Sequence, residues 1–133
     1  MKKLHFLAMV VIACVMTSCF FKTEATIDVQ VITPDKQNAG PGLQVYMFDD
    51  SGYDTGYKTN AKRSVATDAA GVARFEIKSP DDIVPSGTGY DEQVTFTFCT
   101  YDKQDRRNGY TSVTVVPGDK KTATINQETI PDE

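Results

Sequence analysis

Few residues in this chain of 133 are able to do chemistry: one histidine, three cysteines, and acids that gather in short clusters. The densest acidic cluster is Asp49, Asp50 and Asp54 in Asp-Asp-Ser-Gly-Tyr-Asp, with Asp68 further along. Carboxylates at such spacing are oxygen ligands of the kind calcium takes, but an EF-hand loop needs a bidentate Glu at its twelfth position, and none follows Asp49 or Asp50 there. A solvated turn accounts for the cluster more simply, so no metal is expected and these three are only weak calcium candidates. Paired carboxylates also hydrolyse glycosides. Here the adjacent pairs Asp49-Asp50 and Asp81-Asp82 fall in loop-like segments of a chain short for a substrate cleft.

Cys19 has a different setting. Basic Lys2 and Lys3 precede an apolar stretch from Leu4 to Met16, broken only by His5, and small Thr17 and Ser18 follow. That three-part order is an export signal. It falls short of the roughly 20 apolar residues a membrane span needs. The run Met16-Thr17-Ser18-Cys19 resembles the lipobox of bacterial lipoproteins, with Met16 where leucine is usual. The resemblance implies a signal peptide over residues 1–18, cleavage before Cys19, and lipid on its sulfur and new amino terminus. Two or three acyl chains give an anchor that one chain cannot. Residues 19–25 then form a tether, and the site is the envelope of a diderm bacterium, at the outer membrane, facing either the periplasm or the outside.

Loss of the leader removes His5, so the exported chain can build no histidine triad, histidine base or histidine-ligated metal. No catalytic residue and no cofactor are expected, and the chain is read as a non-enzyme. Cys14 leaves with the leader and Cys19 goes to lipid, so Cys99 is without a disulfide partner. With Lys2 and Lys3 gone, 12 basic residues stand against 18 acidic ones, a net charge of −6. Nucleic acid needs a concentrated basic face, which this balance excludes.

The elements that position these groups are strands. Thr26 to Thr33 alternates strictly, Ile27, Val29 and Val31 against Asp28 and Gln30, as a half-buried strand does. Leu43 to Phe48 is nearly all apolar, which predicts a central strand. A short strand at Ser64 to Thr67 is expected to form a hairpin with Val72 to Lys78 across the tight turn Asp68-Ala69-Ala70-Gly71. Further strands are predicted at Gln93 to Tyr101, Tyr110 to Val116 and Thr122 to Gln127, seven in all. Together they predict an all-β, seven-stranded Greek-key sandwich over residues 26–127, with a frayed tail at 128–133. About 100 residues bury enough surface to fold without disulfides.

The run from Ala66 to Ile77, Ala-Thr-Asp-Ala-Ala-Gly-Val-Ala-Arg-Phe-Glu-Ile, resembles the signature hairpin of transthyretin-like and carboxypeptidase-regulatory-like domains. Leu43 to Phe48 is similar to the second strand of that family, and Val113 to Ile125, with its Pro-Gly turn, to its closing hairpin. The resemblance spans most of Thr26 to Gln127 and implies an immunoglobulin-like sandwich without implying a site. Collagen-adhesin B-type repeats share this architecture and often join a first-strand lysine to a last-strand asparagine. Asn126 stands at the right end here, but Thr26 to Thr33 has no lysine.

Function is then expected on loops of a rigid scaffold. Tyr53, Tyr57 and Tyr90 fall in the long loops Asp49 to Lys62 and Ser79 to Glu92, and tyrosine supplies contact area to proteins or glycans at low entropic cost. The sequence therefore points to a membrane-anchored, non-catalytic binding or adhesion module with a protein or glycan partner. Its alternative is a structural accessory subunit that joins a fimbria-like envelope assembly through a sheet edge.

Overall fold

A computed structural model describes residues 25–49, 57–78 and 93–132 of the chain. Period-two alternation dictates where its strands form. β1 (Ala25–Ile32) buries every second residue, so Ala25, Ile27, Val29 and Val31 point inward while Asp28 and Gln30 stay at the surface. β4 (Val72–Ile77) does the same with Ala73, Phe75 and Ile77. The remaining strands are β2 (Gln44–Phe48), β3 (Arg63–Ala66), β5 (Val94–Tyr101), β6 (Arg107–Val115) and β7 (Lys120–Asn126). One 3-10 turn at Lys58–Asn60 precedes β3, and the described residues contain no α-helix.

The strands form two sheets, in the orders β4-β1-β7 and β3-β2-β5-β6, so the protein is all-β and sandwich-like. In the first sheet β1 is central, antiparallel to β4 and parallel to β7. In the second, β2 and β5 are central, which agrees with the apolar character of Gln44–Phe48. The sheets meet over a core of Ile27, Val29, Val31, Phe75 and Ile77 on one side and Val45, Met47, Phe96 and Phe98 on the other. Phe75 and Phe98 bridge the layers, their ring centroids 4.8 Å apart and tilted by 55°. That offset geometry adds about 0.5–1.5 kcal/mol beyond the area the rings bury.

The expected hairpin across Asp68-Ala69-Ala70-Gly71 is not one. β3 pairs with β2 and β4 with β1, so the turn is a corner that carries the chain from one sheet to the other. Asp68 builds it: its Oδ1 accepts the backbone N–H groups of Ala70 and Val72, and its own N–H donates to the Val72 carbonyl. Gly71 sits at φ +78°, and a Cβ there would lie 2.7 Å from the Ala39 carbonyl oxygen. The close approach lets the Gly71 carbonyl accept from Val31 N–H, which starts the β1–β4 pairing. The Pro117-Gly118 turn is likewise a corner, since β6 and β7 belong to different sheets.

β6 begins at Arg107, three residues before the expected Tyr110, because a register shift at Thr100/Tyr101 extends its pairing with β5. β5 is covered on both faces, with Thr97 and Cys99 buried along with Phe96 and Phe98. On the outer face of the first sheet Arg74 lies directly opposite Asp28 and donates two hydrogen bonds to its carboxylate, at 2.8 and 3.0 Å. Those bonds hold the Asp28 carboxyl below its ordinary range; slight desolvation opposes them and the charge of Arg74 adds to them.

Candidate functional site

Of the residues singled out from sequence, Cys19, Tyr53, Tyr90, Asp50 and Asp54 lie outside the described residues. Tyr57 is described and stands 71% exposed immediately before the 3-10 turn. Asp49 lies 4.0 Å from the Lys62 ammonium, with which it forms an ion pair. Asp68 spends its carboxylate on the corner. Among the described residues no three His, Cys, Asp or Glu side chains come together as a metal site. No helix there is long and apolar enough to cross a membrane, which leaves strand-based spans unaddressed.

Cys99 is buried at the centre of β5. Burial pushes its thiol up to about 11, against the pull of the Arg107 charge and a hydrogen bond from that residue. The thiolate that redox or nucleophilic chemistry requires is therefore scarce at neutral pH.

The more informative feature lies where β6, the edge of one sheet, runs beside β7, the edge of the other. Gly109 brings them together: a Cβ at that position would lie 2.6 Å from Ile125 Cγ2 and 3.3 Å from the Asn126 carbonyl oxygen. At this contact a groove of about 620 Å³ opens, walled on the β6 side by Arg107, Asn108, Tyr110 and Ser112. Thr124, Asn126 and Glu128 form the facing wall. Tyr110 is 61% exposed, and the Arg107 guanidinium carbon sits 5.7 Å from its ring centroid, a cation–π arrangement that orients the ring.

Internal bonds fix one rim of the groove. Thr100 Oγ1, buried in β5, donates to Asn108 Oδ1 at 2.7 Å and accepts from Gln127 Nε2 at 3.3 Å. Ser112 Oγ pairs with Thr97 Oγ1 across the β5–β6 ladder at 3.0 Å. By contrast, the exposed side chains of Thr124, Asn126 and Glu128 spend no hydrogen bond on the described residues.

Beyond β7 the chain crosses to the second sheet: Gln127 N–H donates to the Ile32 carbonyl and Glu128 N–H to the Asn108 carbonyl. The residues expected to fray then run along Arg106, whose guanidinium donates to the Ile130 and Pro131 carbonyls at 3.4 Å and to Asp132 Oδ1 at 2.9 Å. Arg106 is itself held by Asp102. Desolvation raises the Asp102 carboxyl, but bonds from Arg106 and the Gln104 N–H outweigh it and leave the group below its ordinary range.

Sequence reasoning missed this groove. Tyr110, Ser112, Thr124 and Asn126 alternate with the buried Val113, Val115 and Ile125, which marks them as outward-facing. Nothing in the sequence says that two strands of different sheets stand edge to edge. No protein-family model matches the chain, and no curated protein matches it either.

Proposed function

We propose that the chain is a lipid-anchored protein of a diderm bacterial envelope, held through Cys19 at the outer membrane and carrying one non-catalytic binding domain. The observation that carries the binding role is the β6–β7 groove, with exposed hydrogen-bonding side chains on one wall and a cation-oriented, exposed Tyr110 on the other. Preformed concave sites with a few convergent polar groups are where small partners bind. The partner is a glycan or protein, not nucleic acid, in keeping with the net charge of −6 after leader removal. Exposed Tyr57 gives the Asp49 to Lys62 loop a share in partner contact.

The finer architecture in this reading is a seven-stranded Greek-key sandwich of the transthyretin-like or carboxypeptidase-regulatory-like kind. The two sheet-crossing corners, at Asp68–Gly71 and Pro117-Gly118, support it. The competing role, an accessory subunit that adds a strand to a larger assembly, has less in its favour. Two β6 carbonyls that such a strand would use already accept bonds, Asn108 from Glu128 N–H and Thr114 from the Lys121 ammonium.

Growth with an alkyne fatty acid tests the anchor: the wild-type chain takes up label and fractionates with membranes, and Cys19→Ser loses both. A pulldown from native membranes combined with protease shaving of whole cells tests the binding role. Tyr110→Ala is expected to lose the partner that the wild type captures. Capture that is indifferent to Tyr110 and to Tyr57 overturns the binding surface, and an unlabelled wild type overturns the anchor.

A further inference from the structure

The groove's chemistry narrows what fills it. Its charged lining is one cation, Arg107, and one anion, Glu128, so its walls carry no net charge in a chain that is acidic overall. A polyanion would gain nothing from those walls and would be repelled by the molecule as a whole. Thr124, Asn126 and Glu128 provide a hydroxyl, an amide and a carboxylate that are exposed and unspent on the described residues. Asn108 and Ser112 on the other rim are held in place by Thr100 and Thr97. A hydroxyl donates and accepts at once, so a ligand dense in hydroxyls satisfies such a mixed set most fully.

Tyr110 supplies the other requirement. Its ring is 61% exposed on the groove wall, with Arg107 fixing its orientation. A pyranose ring has an apolar C–H face and an equatorial rim of hydroxyls, so it stacks on an aromatic while its rim bonds to polar neighbours. The volume of about 620 Å³ lies within the range of small-ligand sites, about 300–1,000 Å³, and suits a few sugar units in line along the strands. A peptide added as a strand would instead need main-chain partners along β6, and the bonds from Glu128 and Lys121 to Asn108 and Thr114 stand in its way at both ends.

We propose that the β6–β7 groove binds an uncharged oligosaccharide, stacked on Tyr110 and bonded by Thr124, Asn126 and Glu128. This rests on the reading of the chain as a binding module and gives that module its ligand class. The ligand carries no charge and so forms no ion pair with the groove, the Glu128 carboxylate included, and the affinity depends little on salt, since screening acts on interactions between charges.

The test uses the full-length lipidated protein in detergent, titrated calorimetrically with four neutral tetrasaccharides built from glucose (β-1,4 and α-1,4), N-acetylglucosamine and mannose. An oligogalacturonate serves as the acidic comparison and a hydroxyl-poor β-strand peptide as the alternative class. At least one neutral tetrasaccharide is expected to bind, and Tyr110→Ala and Asn126→Ala each to weaken it by about tenfold, the loss of one stacking or bonded group. Glu76→Ala, on β4 at the opposite edge of the sheet from β7, leaves binding unchanged, and circular dichroism establishes that all three variants are folded. Binding by none of the four, binding indifferent to both groove variants, or exclusive capture of the acidic glycan or the peptide overturns the proposal. A protein captured from native membranes through Tyr110 without any glycan affinity would sink the ligand class alone, and capture of nothing by either route sinks the binding module itself.

Discussion

Cys99 shows how one position converts a reactive side chain into packing. It is fully buried on a central strand opposite Tyr46, and burial dominates its titration, with the thiol raised to about 11. Arg107 pulls the other way and is outweighed. Less than about one thiol in a thousand is ionised at pH 8 as a result, and the reagent must also reach a buried sulfur. With the native protein at pH 8, Ellman's reagent is expected to label Cys99 at a rate set by unfolding, and to react at once after guanidinium denaturation. Rapid stoichiometric labelling of the folded chain would show that the thiol is accessible and that β5 is not covered on its second face. Cys99→Ala is expected to cost stability and leave binding intact.

At the scale of elements, what was legible in the sequence was the strands, and what was not was their partners. Alternation over Ala25–Ile32 and Val72–Ile77 follows from side chains pointing to opposite faces, a local property, so both segments could be read directly. Pairing is non-local. Asp68 and Gly71 have the turn chemistry of a hairpin, and only the competition of β2 for β3 and of β1 for β4 makes their turn a corner. The groove was illegible for the same reason, because the strands that carry Tyr110 and Asn126 belong to different sheets and approach at Gly109. The corner itself is testable. Gly71→Ala places a side chain at φ +78° and a Cβ 2.7 Å from the Ala39 oxygen. A left-handed residue costs about 1–2 kcal/mol and forced overpacking about 1–3 kcal/mol. Chemical denaturation should therefore show a loss of about 2–5 kcal/mol with little change in the denaturant slope. A variant as stable as the wild type would mean that the turn is not held as described.

A sandwich of two open sheets has four edge strands, here β3, β6, β4 and β7, and each is a template for unwanted pairing. Three of them are blunted. β3 is only four residues long. The β4 edge is occupied at the Glu76 carbonyl by the Arg63 guanidinium. The β6 edge is closed at one end by Lys121, whose ammonium donates to the Thr114 carbonyl at 2.6 Å, and at the other by the main chain of Glu128. Lysine on an edge works twice over, since it fills a carbonyl's hydrogen-bonding capacity and places a desolvation-averse charge where a second strand would dock. These caps fit the proposed reading of a protein that works as a single chain, with the groove beside a closed edge. The intact protein in detergent should sediment as a single chain, and Lys121→Val should promote association, with growing thioflavin T signal on incubation at 37 °C. A wild type that already assembles into ordered oligomers through β6 would reverse the inference, because it would make the edge an interface and return the accessory-subunit role to the front.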